Sequence, residues 1–427
     1  MKILMLGHCS YYTISNFVKA LKEYSEEFEI TVADPVMPGG ENMKTEEAKV
    51  FDHVIHLPNK RDIRLKFSDK LASLTDTLKD EPGRNNLFKN ILTFRFKKSV
   101  KSVESNAEDK IHTAAMKKIL KNYDVYHYHY LAPEFLSSLR YIPKDKKVLM
   151  TFWGSDLFQI TGYENYKQQS EAFERADLIT VNAIEIRETA LAKYGRNLFS
   201  KMRFSDFGLN LQKLDFIEGR NNPETIKAFK ARYGIPEEKI IITAGYSGSS
   251  KQRHIEILKE LKTLDERIKR KIFVIIPMTY GLQFESKDYL KKVEDYSENC
   301  GFGCKIFTEY MKHDELADFT VSSQIMLNLR DTDAINASML ESVFAGNIVV
   351  NGAWLPYGRL KRAGIYFPEV NSFSDINNTV TFIIDNFEEE KKKTSKNKVP
   401  IKKYFLYTSL IYDWVNIYKE LGFKKTS

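Results

Sequence analysis

The chain has 427 residues, too long for one small core and enough for two domains of ordinary size. With 43% hydrophobic and 29% charged residues it is neither disordered nor fibrous. No apolar run approaches the roughly 20 residues that span a bilayer. The net charge of +8 is uneven: residues 58–121 hold sixteen Lys and Arg against eight Asp and Glu, and the remainder balances at 49 of each. Phe67, Phe88, Phe94 and Phe96 interleave with this basic stretch, which suggests attraction to an anionic surface or substrate. A solvated helical insertion is the plainer alternative. Nucleic acid is not expected as a partner, because no helix-turn-helix, zinc or RNA-motif signature accompanies the charge. Three cysteines, Cys9, Cys300 and Cys304, form no framework, and Cys300-x3-Cys304 lacks the companion pair of a zinc site. A reducing cytoplasm is the expected compartment, and Met1–Gly7 reads as a strand and not a secretory signal.

In chain order the pattern predicts strands at Lys2–Leu6, Glu29–Ala33 and His53–Leu57, then the basic insertion, then strands at Val125–Tyr130, Lys147–Phe152 and Leu178–Val181. Helices fall between them at Ser15–Tyr24, Pro133–Leu139, Tyr166–Arg175 and Ile184–Lys193. Turn formers over Phe216–Pro223 mark a linker or domain edge. A second series follows, with strands at Lys239–Ala244, Ile272–Pro277, Cys304–Phe307, Ile325–Leu329 and Asn347–Asn351 and helices between. Such alternation implies parallel strands and right-handed crossovers, so two doubly wound sheets stand in tandem. Glu388–Lys398 reads as charged and weakly structured. The helix beyond it carries Tyr407, Ile411, Trp414, Tyr418 and Leu421 as one apolar stripe, expected to pack back on the first domain and not on a membrane.

Four motifs carry chemistry. Asp333 and Glu341 flank a strand-to-helix turn whose helix opens on Asn336-Ala337-Ser338, and free backbone N–H groups at such a start hold phosphate. The loop Gly245-Tyr246-Ser247-Gly248-Ser249-Ser250-Lys251-Gln252-Arg253 follows a strand, with glycines for close approach, hydroxyls to donate and two cations. It is neither a P-loop nor G-x-G-x-x-G. Thr151-Phe-Trp153-Gly154-Ser155-Asp156 ends a strand of the first half, where Asp156 is an acceptor contact or a helix cap. His127 and His129 share a strand face, as cleft lining or as core, and Glu309 ends a strand where it could meet a nucleoside or stand in solvent.

Asp333-x7-Glu341 resembles the E-x7-E element of retaining glycosyltransferases of the GT-B fold, with Asp333 in place of the first Glu. The Gly245 loop is similar to that family's Gly-Arg…Lys loop, with Tyr246 where Arg is usual, so the phosphate cation would come from Lys251 or Arg253. The Trp153 turn is similar to the family's His-Gly-x-Asp turn, with Trp153 in the His position. Phe204-Ser-Asp-Phe-Gly208-Leu-Asn210 resembles the Pro-Asn-Gly-Val-Asp turn at its domain junction. A shorter likeness, Gly245–Leu258 with Arg253-His254-Ile-Glu256, is to the transferases that add 4-acetamido-4,6-dideoxygalactose to a lipid-linked carrier.

The resemblance implies a GT-B transferase: an acceptor domain over 1–211, a donor domain over 212–398, and a segment 399–427 crossing back. It implies a UDP-, GDP- or TDP-sugar donor, a glycan or glycolipid acceptor of the cell envelope, retention of configuration, and neither metal nor cofactor. Asp333, Glu341 and Asp156 would be the catalytic set, and Glu341 would hold the ribose. Gly245, Ser247, Gly248, Ser249, Lys251, Arg253, Asn336, Ala337, Ser338 and Glu309 would bind the donor; Trp153, His127 and His129 would face the acceptor. The expected location is cytoplasmic, at the inner face of the membrane. Competing readings are a metal-binding D-x-D triplet at Asp331-Thr-Asp333, a nucleotide-sugar epimerase of the same fold, and a sugar- or nucleotide-binding relative without activity.

Overall fold

Short apolar and β-branched runs bounded by Gly, Asn and Asp become strands, and the central ones are buried on both faces, as parallel sheets require. The computed structural model describes residues 1–7, 11–34, 48–60, 63–92 and 96–422, so Cys9 and Phe94 lie outside the described residues. The first sheet has seven strands: β1 (Lys2–Leu6), β2 (Glu29–Asp34), β3 (His53–His56), β4 (Val125–His129), β5 (Lys147–Thr151), β6 (Leu178–Val181) and β7 (Met202–Phe204). The second has six: β8 (Ile240–Ala244), β9 (Ile272–Pro277), β10 (Gly303–Phe307), β11 (Ile325–Asn328), β12 (Ile348–Gly352) and β13 (Glu369–Val370). Their orders are 3-2-1-4-5-6-7 and 10-9-8-11-12-13, and the paired strands run parallel. Strand order therefore reverses between β1 and β4 and again between β8 and β11. Ligands enter open α/β sheets at such reversals, beyond the carboxyl ends.

The basic stretch folds as three helices, Phe67–Lys79, Glu81–Leu92 and Phe96–Ile119. Ser73 and Thr77 are buried between them, while Phe67, Leu71, Phe88 and Val100 are exposed. Among the described residues no helix is long and apolar enough to cross a membrane.

Two segments differ from the sequence reading. Phe216–Arg220 belongs to the helix Leu211–Arg220, because Leu214 and Ile217 pack among Met339, Leu340 and Phe344 beside the second sheet. Only Asn221 and Asn222 remain as a break before the next helix at Pro223. The charged stretch 388–398 is helical too, Phe387–Thr394 followed by a 3-10 turn and Lys398–Tyr404. Its glutamates open the helix and its lysines close it, which suits the helix dipole, and Glu390 is buried against Tyr366.

The chain returns to the first sheet at Phe405–Tyr407. Ile401, Phe405 and Leu406 pack with the second half. Tyr407, Ile411, Trp414, Tyr418 and Leu421 of the helix Tyr407–Gly422 pack on Ile3, Met5, Phe17 and Val125 of the first. Gly208 makes this crossing possible, since a Cβ there would stand 2.2 Å from the Tyr407 nitrogen.

Candidate functional site

A cleft of about 270 Å³ opens between the two sheets, at the carboxyl ends of their strands. One wall carries Trp153, Asn182, Ser205, Asp206 and Asn210, and the other Asp333, Asn336, Ala337 and Glu341. The halves meet around it. The Gly154 turn (φ +103°) touches the second half so closely that a Cβ would lie 2.8 Å from Ala334, and glycine tolerates both that backbone and that contact. Gln159 donates to the Thr332 hydroxyl at 2.8 Å. Arg359 reaches Asp206 at 2.6 Å and the Asn182 carbonyl at 3.1 Å, and Arg362 pairs with Glu185 at 2.7 Å.

The second wall is a polar network spanning the β8/β11 reversal. Asp333 accepts from Asn336 Nδ2 (2.6 Å), the Tyr357 hydroxyl (2.9 Å), the Tyr246 hydroxyl (3.1 Å) and the Ala334 N–H (2.9 Å). Arg330 Nη1 lies 3.5 Å from it and also bonds the Tyr246 hydroxyl. Burial pushes the Asp333 carboxyl up, against the pull of Arg330 and the donors around it. Asn336 caps the helix Ala337–Phe344 by accepting from Met339 N–H at 2.7 Å, so the helix starts at the cleft floor. Glu341, one turn further on, is buried and paired with Lys213 at 2.7 Å; both line the cleft.

The Gly245 loop is packed more tightly than its composition suggests, and it lies outside the cleft lining. Ser247 is buried and its hydroxyl accepts from Gln252, while the Ser249 hydroxyl donates to Glu285 at 3.0 Å. Gly245 abuts Gln252 and His254, and Gly248 abuts Leu282. Arg253 bonds both Asp331 and Glu256, and Lys251 lies 3.8 Å from Asp331. The two carboxylates of Asp331-Thr-Asp333 thus face different cationic groups, Asp331 toward Arg253 and Lys251 and Asp333 toward Arg330. Ser338, second in the helix, meets the Tyr280 hydroxyl. Glu309 follows the edge strand β10 and is exposed, away from the cleft.

In the first half only Trp153 of the expected acceptor residues lines the cleft. It packs on Phe207 at 4.9 Å, and its buried Nε1 finds no acceptor among the described residues; the same holds for Ser205 Oγ in the same wall. His127 and His129 are core residues. His127 sits between the Tyr418 hydroxyl (2.7 Å) and Thr151 Oγ1 (2.6 Å), and burial lowers it to about 3, so it is neutral. His129 stacks within the aromatic cluster of Phe17, Phe207 and Trp153. Asp156 is fully buried and accepts the Leu131, Trp153 and Gly154 N–H groups at 2.9–3.0 Å, which is the geometry of a cap. It is held away from the cleft. Arg330, Tyr357 and Lys213 join the site without having been singled out in the sequence. None belongs to a motif, and only the fold brings them to Asp333 and Glu341.

No protein-family model and no curated protein sequence matches the chain. Solved structures do match along its whole length. Anabaena HepE in complex with UDP-glucose has a TM-score of 0.70 at 12% identity, covering 98% of this chain and 100% of that one. A glycosyltransferase from Rickettsia africae gives 0.67 at 13% identity, covering 100% and 99%. WaaG, a glycosyltransferase involved in lipopolysaccharide biosynthesis, gives 0.62 at 13%, covering 98% and 99%. The fold is GT-B. Its cleft lies between the two sheets, where the Asp333 network and the Trp153 turn face each other.

Proposed function

We propose that this protein is a glycosyltransferase that moves a sugar from a nucleoside-diphosphate donor to a glycan or lipid-linked glycan. The observation that carries the reading is the convergence of Asp333, the Asn336-capped helix start and Glu341 on one wall of the interdomain cleft. Backbone N–H groups at Ala337 and Ser338 suit the diphosphate, Asp333 suits sugar hydroxyls, and Glu341 with Lys213 suits the ribose. In the reaction the bond from the anomeric carbon to the phosphate oxygen breaks, and its electron pair leaves with the diphosphate. The acceptor oxygen bonds the anomeric carbon on the same face, and its proton passes to the departing phosphate oxygen. Fixed donors and cations stabilise the developing charge, which makes a metal unnecessary. No side-chain nucleophile is required.

The exposed Phe67 and Phe88 on the basic three-helix insertion support an acceptor presented at an anionic lipid surface. A thermal-shift screen over UDP-, GDP- and TDP-sugars tests the donor reading. One sugar nucleotide should raise the melting temperature by several degrees with chelator present, whereas stabilisation by none would overturn the reading. A shift that appears only with manganese or magnesium would restore the D-x-D alternative.

A further inference from the structure

The family to which the motifs are similar places an arginine directly after the loop glycine, and here that position is Tyr246. The two lysine and arginine candidates further along the loop are engaged: Arg253 with Asp331 and Glu256, Lys251 beside Asp331. A different guanidinium occupies the β8/β11 reversal. Arg330 leaves the end of β11, and its guanidinium carbon stands 5.4 Å from the centre of the Tyr246 ring. Its Nη1 bonds the Tyr246 hydroxyl. Thus Tyr246 fills the family's arginine position, and a cation reaches the same place from the neighbouring strand.

Three further observations orient Arg330 toward a ligand. Its Nε is buried with no acceptor among the described residues, so the guanidinium has donor capacity left over. Its Nη1 stands 3.5 Å from Asp333, which lines the cleft, so this guanidinium lies directly behind the cleft wall. Trp354 fixes the backbone beneath it by donating to the Arg330 carbonyl at 2.8 Å. A planar guanidinium suits two phosphate oxygens at once better than a lysine does.

We propose that Arg330 is the cation that holds the donor diphosphate, with the Tyr246 hydroxyl and Asp333 holding it in place until the donor arrives. The proposal rests on the donor reading above. The experiment is calorimetry of the full chain with UDP, GDP and TDP and with the matching monophosphates. For whichever diphosphate binds, R330Q should weaken it by roughly 30-fold or more while the monophosphate loses less than threefold. R330K should recover part of the loss, and K251A/R253A should lose less than R330Q. Equal losses for mono- and diphosphate would make Arg330 a structural partner of Asp333 and overturn the proposal. So would a larger loss in K251A/R253A, or an unchanged R330Q. A wild type that binds no diphosphate defeats the donor reading itself, a result distinct from wild-type binding that R330Q leaves intact.

Discussion

The two sheets present the same end to the same cleft, yet they use polar residues there in opposite ways. At the end of the first sheet, Asp156 and His127 hold turns and core; they are buried and bonded to backbone N–H groups or to side-chain hydroxyls, away from the cleft lining. At the end of the second, Asp333 and Glu341 are nearly as buried and Asn336 is half-buried, but all three line the cleft wall. A carboxylate at a strand end is therefore not diagnostic by itself. What separates Asp156 from Asp333 is the direction of its partners: three main-chain donors beneath a turn in one case, and side-chain donors gathered from the loop after β8, the end of β11 and the segment after β12 in the other.

Paired substitutions put the largest strain on this contrast. Asp333→Ala leaves Arg330, Asn336 and two tyrosine hydroxyls without their common acceptor, a loss of about 3–5 kcal/mol. Asp156→Ala strands three backbone donors at about 1–3 kcal/mol each. Both variants should melt well below the wild type. Their donor affinities should part company: abolished in Asp333→Ala, within a fewfold of wild type in Asp156→Ala. Titration of each variant at a temperature where it is folded decides the matter, and a comparable loss of affinity in Asp156→Ala would draw the first sheet's end into the donor site.

That contrast also marks what the sequence could reveal. Alternating apolar runs and helix periods located most strands, and the Asn336-Ala337-Ser338 start was legible because capping is local chemistry. Asp156 was ambiguous for the same reason: a cap and a ligand contact look alike until Leu131, twenty-five residues upstream, is seen to donate to it. Arg330, Tyr357 and Lys213 carry no local signal, since their meaning comes from crossovers that bring separate loops to one reversal. The helix Phe387–Thr394 was missed because its charge outweighed its few buried contacts, Glu390 and Thr394 among them.

A smaller effect concerns one buried histidine in each half, His127 and His254. His127 is lowered to about 3 and His254 to about 4, in both cases by burial. Unfolded histidine takes a proton near pH 6.5 while these native ones do not, so stability present above that pH is lost as pH falls toward 4. The slope is about 1.4 kcal/mol per unit for each group. Urea midpoints measured between pH 7 and 5 should fall, and His127→Gln should flatten the slope by about one proton. An unchanged slope in that variant would mean that His127 protonates as readily folded as unfolded.

The smallest effect per residue belongs to the part of the first half that lies furthest from its sheet end. If that end is largely structural, the half's contribution to the proposed transfer must be made by its cleft wall and by its insertion. Lys97, Lys98 and Lys101 are exposed near the start of the helix Phe96–Ile119, on the same insertion as the exposed Phe67 and Phe88. Each such charge contributes on the order of 1 kcal/mol at an anionic membrane, so three reversals to Glu should move vesicle partitioning by a few kcal/mol while leaving nucleotide affinity alone. Co-sedimentation with vesicles containing phosphatidylserine, repeated at rising salt, reads this directly. Binding of the wild type should weaken with salt and vanish in the triple variant; indifference of the wild type to anionic vesicles would reduce the insertion to a solvated appendage and shift the acceptor toward a soluble glycan.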